Sequence, residues 1–257
     1  MLLAAGAALV AAFEPAPRVL LRPPYGAYSD AKLRDALGPA LVEYWRSGTQ
    51  AFPASLTALN DYWLQWHAIK VAISSLSVIV FALLATGLWQ RYLRTQAWYA
   101  AVAIAATVST VVAAVVLMFN IQATAVPLVA LLGVLPERTA DGNLAPVLSQ
   151  LREGLTKSTS PHADSPTLTV LLGQVERYFW VMVAISATLM VATVLASVLF
   201  WKRRIAADPS ATRVRFMHST LGVITALTAC LLLLVTAAYA FSAFEPAASL
   251  LGIIGAG

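Results

Sequence analysis

The chain has 257 residues, of which 60% are hydrophobic and only 11% are charged, and its mean hydropathy is +0.76. Soluble domains average about 25% charged residues, so this composition excludes an ordinary soluble globular protein. The net charge of +5 comes from basic residues that cluster beside apolar segments, which indicates a membrane and not a nucleic-acid partner.

Four long segments contain no side chain that is ionised at neutral pH: residues 71–90, 97–119, 179–201 and 216–244. A helix needs about 20 apolar residues to cross a hydrocarbon layer of about 30 Å. In lipid the backbone must also satisfy its own hydrogen bonds, which a helix does. The sequence therefore predicts an all-α integral membrane protein with four transmembrane helices.

The part before the first span is predicted to lie mostly outside the cell. Residues 1–13 form an apolar segment that is either a signal remnant or a tail at the membrane interface. Residues 14–68 form an extracytoplasmic segment. We expect its proline-rich residues 14–28 to be extended, and a helix that begins near Ser29 to be interrupted at Gly38-Pro39. A long helix is predicted from about Pro53, through the first span, to about Arg91.

The rest of the chain is predicted to form two helical hairpins separated by a loop. Residues 69–119 are the first transmembrane hairpin and residues 179–244 are the second. The extracytoplasmic loop, residues 120–178, contains an apolar segment broken by Pro127, a short helix at 145–157 and a long helix that begins at Pro166. We expect this loop to pack with residues 29–66. Residues 245–257 form an apolar extracytoplasmic segment.

The basic residues predict the orientation of the hairpins. Both short turns are rich in Lys and Arg and contain Asp208 as their single acidic residue. Because such turns stay in the cytoplasm, we expect the chain to lie in the plasma (inner) membrane with both turns inside. The same residues could instead bind anionic lipid: Arg91, Arg94, Lys202, Arg203, Arg204, Arg213 and Arg215.

The two halves resemble each other. Val71-Ala-Ile-Ser74 recurs 112 positions later as Val183-Ala-Ile-Ser186, and Trp89 corresponds to Trp201 at the same offset. The returning arms match at an offset of 119, where Pro127 falls on Pro246. The sequence therefore predicts a duplication, with two tandem, parallel hairpins related by a pseudo-two-fold axis along the membrane normal.

A polar and aromatic cluster marks the outer ends of the first and third spans. Its simplest interpretation is a belt of aromatic residues at headgroup depth. The alternative is a surface that contacts a partner protein or a lipid. The cluster comprises Asp61, Tyr62, Trp63, Trp66, His67, Glu176, Arg177, Tyr178 and Trp180.

The sequence contains little that indicates catalysis. There is no P-loop, no His-Glu-x-x-His and no Gly-x-Ser-x-Gly motif, and Cys230 is the single cysteine. We expect no metal and no cofactor, although His67 and His162 are predicted on the same side of the membrane. The spans lack the charged residues that ion pathways use.

We therefore expect a non-catalytic accessory or scaffold subunit of a larger membrane complex in the cell envelope. Its partners would be other integral membrane proteins and lipids, and not nucleic acid. One alternative is a carrier or binding protein that holds a lipid or quinone between the two hairpins. A second alternative is an electron-transfer subunit with a prosthetic group.

Overall fold

The structure, a computed structural model, describes residues 1–21, 30–135, 143–157 and 164–255. These residues form ten α-helices. The helices are α1 (Leu2–Ala12), α2 (Pro15–Leu20), α3 (Asp30–Ser47), α4 (Ala54–Arg94), α5 (Tyr99–Ala125), α6 (Pro127–Leu132), α7 (Leu144–Thr156), α8 (Pro166–Ala206), α9 (Thr212–Phe244) and α10 (Pro246–Gly255).

Four of these helices, α4, α5, α8 and α9, are long and apolar enough to cross a membrane. This confirms the four predicted spans and identifies the chain as a multi-pass membrane protein by length and composition. Residues at both ends of α8 stabilise the ends of that helix. Arg203 and Arg204 lie in the last turn of α8, where cations interact favourably with the helix dipole. The Ser165 hydroxyl accepts a hydrogen bond from the Leu168 N–H at 3.1 Å and so caps the start of α8.

The helix boundaries follow the offsets of the sequence repeat. Helices α4 and α8 are both 41 residues long, and α8 begins and ends 112 positions after α4. Each half continues with a second apolar helix and then a short helix that begins at a proline, Pro127 or Pro246. Buried positions recur as well, since Ser74 and Ser186 are 2% and 0% exposed. The order of the elements therefore repeats, and so does the burial of this serine.

The chain divides into two compact units. Unit 1 comprises Met1–Pro17, Ile69–Asn120 and Met182–Ala238, and unit 2 comprises Arg18–Ala68, Ile121–Val181 and Tyr239–Gly257.

Unit 1 contains the apolar central parts of the long helices and exposes many large side chains. Leu83, Leu195 and Leu231 are 55%, 59% and 64% exposed. In water such a surface would be costly, whereas in hydrocarbon it costs nothing. Its packing is clearest around Trp89, which lies in a buried cluster with Ala85 and Ala103.

Unit 2 has a core of the kind found in water-soluble helical proteins. The largest fully buried side chains of the described residues all belong to it: Leu37, Leu41, Tyr44, Leu56, Leu59, Leu128, Leu131, Leu132, Leu144, Leu151, Leu168 and Leu171. Helix α7 packs against α3 and against α10. The Trp45 indole N–H donates to Gln150 Oε1 at 2.9 Å, which joins α3 to α7. The predicted packing of the central loop with residues 29–66 is thus confirmed for α7, which lies against α3.

Two local predictions were wrong. Helix α3 is not interrupted at Gly38-Pro39 but continues through Pro39 to Ser47. A proline inside a helix costs roughly 3 kcal/mol. Here Leu37, Leu41 and Tyr44 are buried on either side of it, and a break would misalign that face. Residues 15–20 were expected to be extended but form α2, because proline is well tolerated in the first turn of a helix.

The side chain of Tyr44 generates a stability prediction. Its hydroxyl is buried without a hydrogen-bond partner among the described residues, and burial raises the pKa of Tyr44 to about 12. The unfolded pKa is about 10, so the stability that the neutral form confers below pH 10 is lost as the pH rises towards 12. We expect Tyr44→Phe to stabilise the protein by about 1 kcal/mol at neutral pH and to remove this alkaline loss.

Thermal unfolding in detergent, followed by tryptophan fluorescence at several pH values, checks this. Tyr62→Phe is the matched control, since Tyr62 is also buried but its hydroxyl is not among the orphaned atoms. Equal effects of the two substitutions would contradict the assignment.

Candidate functional site

A cavity of about 360 Å³ lies in unit 1 between α1, α4 and α5. Its lining is mostly apolar and includes Val10 of α1, Phe13 directly after that helix, Ser74 and Phe81 of α4, and Val112 and Ala113 of α5. Ligand sites in proteins are commonly apolar and about 300–1,000 Å³ in volume, so this cavity is large enough to hold part of a small molecule.

Helix α1 is attached to α4 on both sides of the cavity. A Cβ at Gly6 would lie 2.9 Å from Phe81 Cε1, so glycine permits the close approach of the two helices here. Directly after the C-terminal end of α1, Lys70 Nζ lies 2.7 Å from Glu14 Oε1 and 4.7 Å from the centre of the Phe13 ring. The side chain of Lys70 is only 12% exposed. These contacts hold α1 as one wall of the cavity.

A second, shallower cleft of about 320 Å³ separates the two predicted hairpins within unit 1. It is lined by Ile104 and Val108 of α5 and by Phe216 and Val223 of α9, among others. Val108 also lines the cavity beneath α1, so the cavity and the cleft share this side chain of α5.

The polar side chains of the spans mostly bond to their own helices. The hydroxyls of Ser74, Ser77 and Thr110 donate to the carbonyl oxygens four residues earlier, at 2.7–2.9 Å. Such bonds satisfy a hydroxyl in lipid without a partner from another helix. These hydroxyls therefore need no ligand to accept their protons.

A few polar groups join neighbouring helices. The Thr236 hydroxyl donates to Ser186 Oγ at 2.8 Å, and the Ser197 hydroxyl donates to the Gly222 carbonyl at 3.1 Å. The Trp89 indole N–H donates to Thr107 Oγ1 at 3.1 Å.

The two matching tryptophans pack against matching positions. Trp89 lies in a cluster with Ala103, and Trp201 lies so close to Gly222, 119 positions after Ala103, that a Cβ there would be 3.0 Å from its Nε1. In each half, the tryptophan of the first span thus packs against the second span.

On α4, the aromatic cluster is partly a packing feature. Tyr62 is buried and its ring lies 5.8 Å from that of Trp66, while the Trp63 and His67 rings lie 4.5 Å apart. His67 Nδ1 is within hydrogen-bond distance of the Trp63 carbonyl, at 3.0 Å. Asp61 is exposed and is therefore the residue of this group that is available to a partner.

On α8, the corresponding group is more accessible. Glu176 and Arg177 are exposed, and Trp180 is 38% exposed with its ring 5.4 Å from that of Phe244. The Tyr178 carbonyl accepts a hydrogen bond from Gln122 Nε2 at 3.1 Å, which joins α8 to the end of α5. All of the predicted contact residues on α4 and α8 belong to unit 2.

The predicted basic residues have different environments. Arg213 donates to the carbonyl oxygens of Tyr92 and Thr95, at 3.2 and 2.9 Å, where the last turn of α4 leaves acceptors unsatisfied. Arg91 and Arg204 lie over the rings of Tyr99 and Trp201. The others are exposed or half-exposed: Arg94, Lys202, Arg203 and Arg215.

The acidic residue among them, Asp208, is occupied locally. The hydroxyl and the backbone N–H of Ser210 donate to Asp208 Oδ1 at 2.6 and 2.7 Å, and these hydrogen bonds lower the pKa of Asp208.

Within the described ranges, no group of three His, Cys, Asp or Glu residues is placed to hold a metal ion. His162, which the sequence puts on the same side as His67, lies outside those ranges. Comparison of the chain with protein-family models, with curated proteins and with solved structures finds no match.

The sequence did not predict the cavity or the contacts that hold α1 against α4. The apolar run of residues 1–13 gave no indication that α1 packs on α4, because Gly6 is one small residue among many. The opposite charges of Lys70 and Glu14 could have suggested this contact. Charges 56 positions apart, however, specify no contact by themselves.

Arg213 generates a second prediction. Its two carbonyl contacts should stabilise unit 1, so we expect Arg213→Ala to lower the free energy of unfolding by about 1 kcal/mol, the usual net worth of hydrogen bonds of this kind at a surface. Arg215→Ala, on the same helix, is the control and should have little effect. The thermal midpoints of both variants in detergent decide the matter, and equal midpoints would show that the contacts of Arg213 do not stabilise the fold.

Proposed function

We propose that this chain is a non-catalytic accessory or scaffold subunit of a larger membrane complex in the cell envelope. Its spans would associate with other integral membrane proteins, and the exposed residues of unit 2 would contact partners outside the membrane. The observation that carries the proposal is the exposed face of α5.

That face begins with alanines. Ala101 and Ala105 are exposed one helical turn apart, the same face continues with Val108, Val112 and Val115, and it ends at Phe119, which is 46% exposed. Helix α5 exposes neither leucine nor isoleucine, whereas α4, α8 and α9 expose several. In lipid, helices associate through small residues that let their backbones approach closely. The alanine part of the α5 face therefore suits a partner helix, and the leucine-rich faces suit lipid chains.

The chemistry of the spans supports a non-catalytic role. Ionisable groups within spans are usual in proton and ion pathways. The most apolar parts of these helices contain almost none, and the hydroxyls bond mainly to their own backbones. The structural contribution of the spans is thus packing.

We further propose two tandem parallel hairpins in the plasma (inner) membrane, with the basic turns in the cytoplasm and most of unit 2 outside. Arg213 supports this arrangement, because its bonds to the Tyr92 and Thr95 carbonyls bring the two basic turns together. Exposed Asp61, Glu176 and Arg177 would then face an extracytoplasmic partner.

A cross-linking experiment tests the association. In a Cys230→Ser background, a thiol-attached photoreactive group at Ala105→Cys should give a product of defined higher mass in native membranes. The matched control, Ala192→Cys, lies on the exposed face of α8 and should give about tenfold less product, since it faces lipid. Equal yields at the two positions would contradict a contact surface on α5.

A labelling experiment tests the orientation. In the same background, Arg94→Cys and Lys202→Cys should react with a membrane-impermeant maleimide only after the cells are permeabilised, because their turns face the cytoplasm. Asp61→Cys should react in intact cells. Labelling of residue 94 from outside would mean that the proposed orientation is inverted.

A further inference from the structure

We propose that the cavity between α1, α4 and α5 binds one acyl chain of a membrane phospholipid, and that α1 is the wall that retains it. This inference does not rest on the association proposed above, which uses Ala101 and Ala105, although Val108 and Val112 of the same α5 face line the cavity. It also places the ligand beneath α1 and not between the two hairpins.

The lining indicates a hydrocarbon occupant. Phe13, Phe81 and Val112 present apolar surface, and empty apolar cavities of this kind do not fill with water. The Ser74 and Ser77 hydroxyls already donate to the carbonyls of Lys70 and Ile73, at 2.7 and 2.8 Å. The cavity thus does not depend on a polar ligand group to satisfy them, which argues against a sugar or a quinone ring at this depth.

The dimensions of the cavity suit a narrow chain. Its lining extends from Ser74 to Phe81 along α4 and from Val108 to Val116 along α5. At about 1.5 Å per residue these distances are roughly 10 and 12 Å. Since α4 and α5 are both long enough to cross a membrane, the cavity lies along the direction that lipid chains take in a bilayer.

The Phe13 end of the cavity suits a phosphate. Lys70 lies one turn before Ser74, and its ammonium group is held at 2.7 Å from Glu14 Oε1. The Glu14 side chain is 64% exposed while that of Lys70 is 12% exposed, so water reaches this pair from the Glu14 side. An ammonium group has three donors, so Lys70 can bind a phosphodiester while it stays close to Glu14. A charged headgroup therefore distinguishes the expected ligand from a neutral glyceride.

The test uses the full chain in detergent micelles, where no bulk lipid competes. A phosphatidylglycerol with a photoreactive group on one acyl chain is added at increasing concentration, and cross-linked peptides are mapped by mass spectrometry. We expect labelling to saturate at one lipid per chain and to fall on α1, α4 and α5 near Val10, Phe81 and Val112. Labelling that does not saturate, or that spreads over the leucine-rich faces of α8 and α9, would overturn the proposal.

Two variants sharpen the result. Ala113→Phe fills the cavity and should reduce the labelling at least tenfold, whereas Ala192→Phe on the exposed face of α8 should leave it unchanged. Circular dichroism and gel filtration verify that each variant keeps its helices and its size. Unchanged labelling in a folded Ala113→Phe protein would overturn the proposal.

If Ala113→Phe does not fold, Lys70→Gln decides the matter, with Lys70→Arg, which keeps a cation beside Glu14, as its control. Lys70→Gln should abolish the preference for the phosphatidylglycerol over a diacylglycerol with the same photoreactive chain. A preference that survives this change would show that Lys70 does not bind the headgroup. Stronger labelling of the same residues by a photoreactive benzoquinone would also overturn the assignment to a phospholipid.

Discussion

Inside a hydrocarbon layer there is no water to satisfy backbone N–H and C=O groups, and each of these groups must find a partner within the protein. Unit 1 meets this constraint with long uninterrupted helices. The hydroxyls of Ser74, Ser77 and Thr110 meet it in the same way, by bonding to carbonyls one turn back. Where a helix ends and its carbonyls lose their partners, Arg213 donates to two of them. The basic residues are therefore part of the packing as well as of the charge pattern.

Unit 2 is stabilised by a different balance. Its leucines are buried almost completely, which is the arrangement that the hydrophobic effect favours in water. Pro39 destabilises α3, but the burial of Leu37, Leu41 and Tyr44 in the core offsets this free-energy cost. Trp45 and Gln150 add a specific hydrogen bond between α3 and α7. The same chain thus contains one unit whose large side chains face outwards and one whose large side chains face inwards.

The spans and the repeat could be predicted because both depend on composition and spacing alone. The runs without charge mark the membrane-spanning parts of the long helices. The 112-residue offset predicts the equal lengths of α4 and α8. The course of α3 through Pro39 could not be predicted, because tertiary burial outweighed a local preference. The cavity was also beyond sequence reasoning. It depends on how closely Gly6 lets α1 approach Phe81 and on the pairing of Lys70 with Glu14 across 56 positions.

The exposed face of α5 has a consequence when it is compared with α9, the helix at the matching place in the second half. Helix α9 exposes Leu227, Leu231 and Leu234, where α5 exposes Val108, Val112 and Val115. If α5 contacts a partner helix, as proposed above, α9 offers no second contact of the same kind, and one copy of the chain would take one partner helix there.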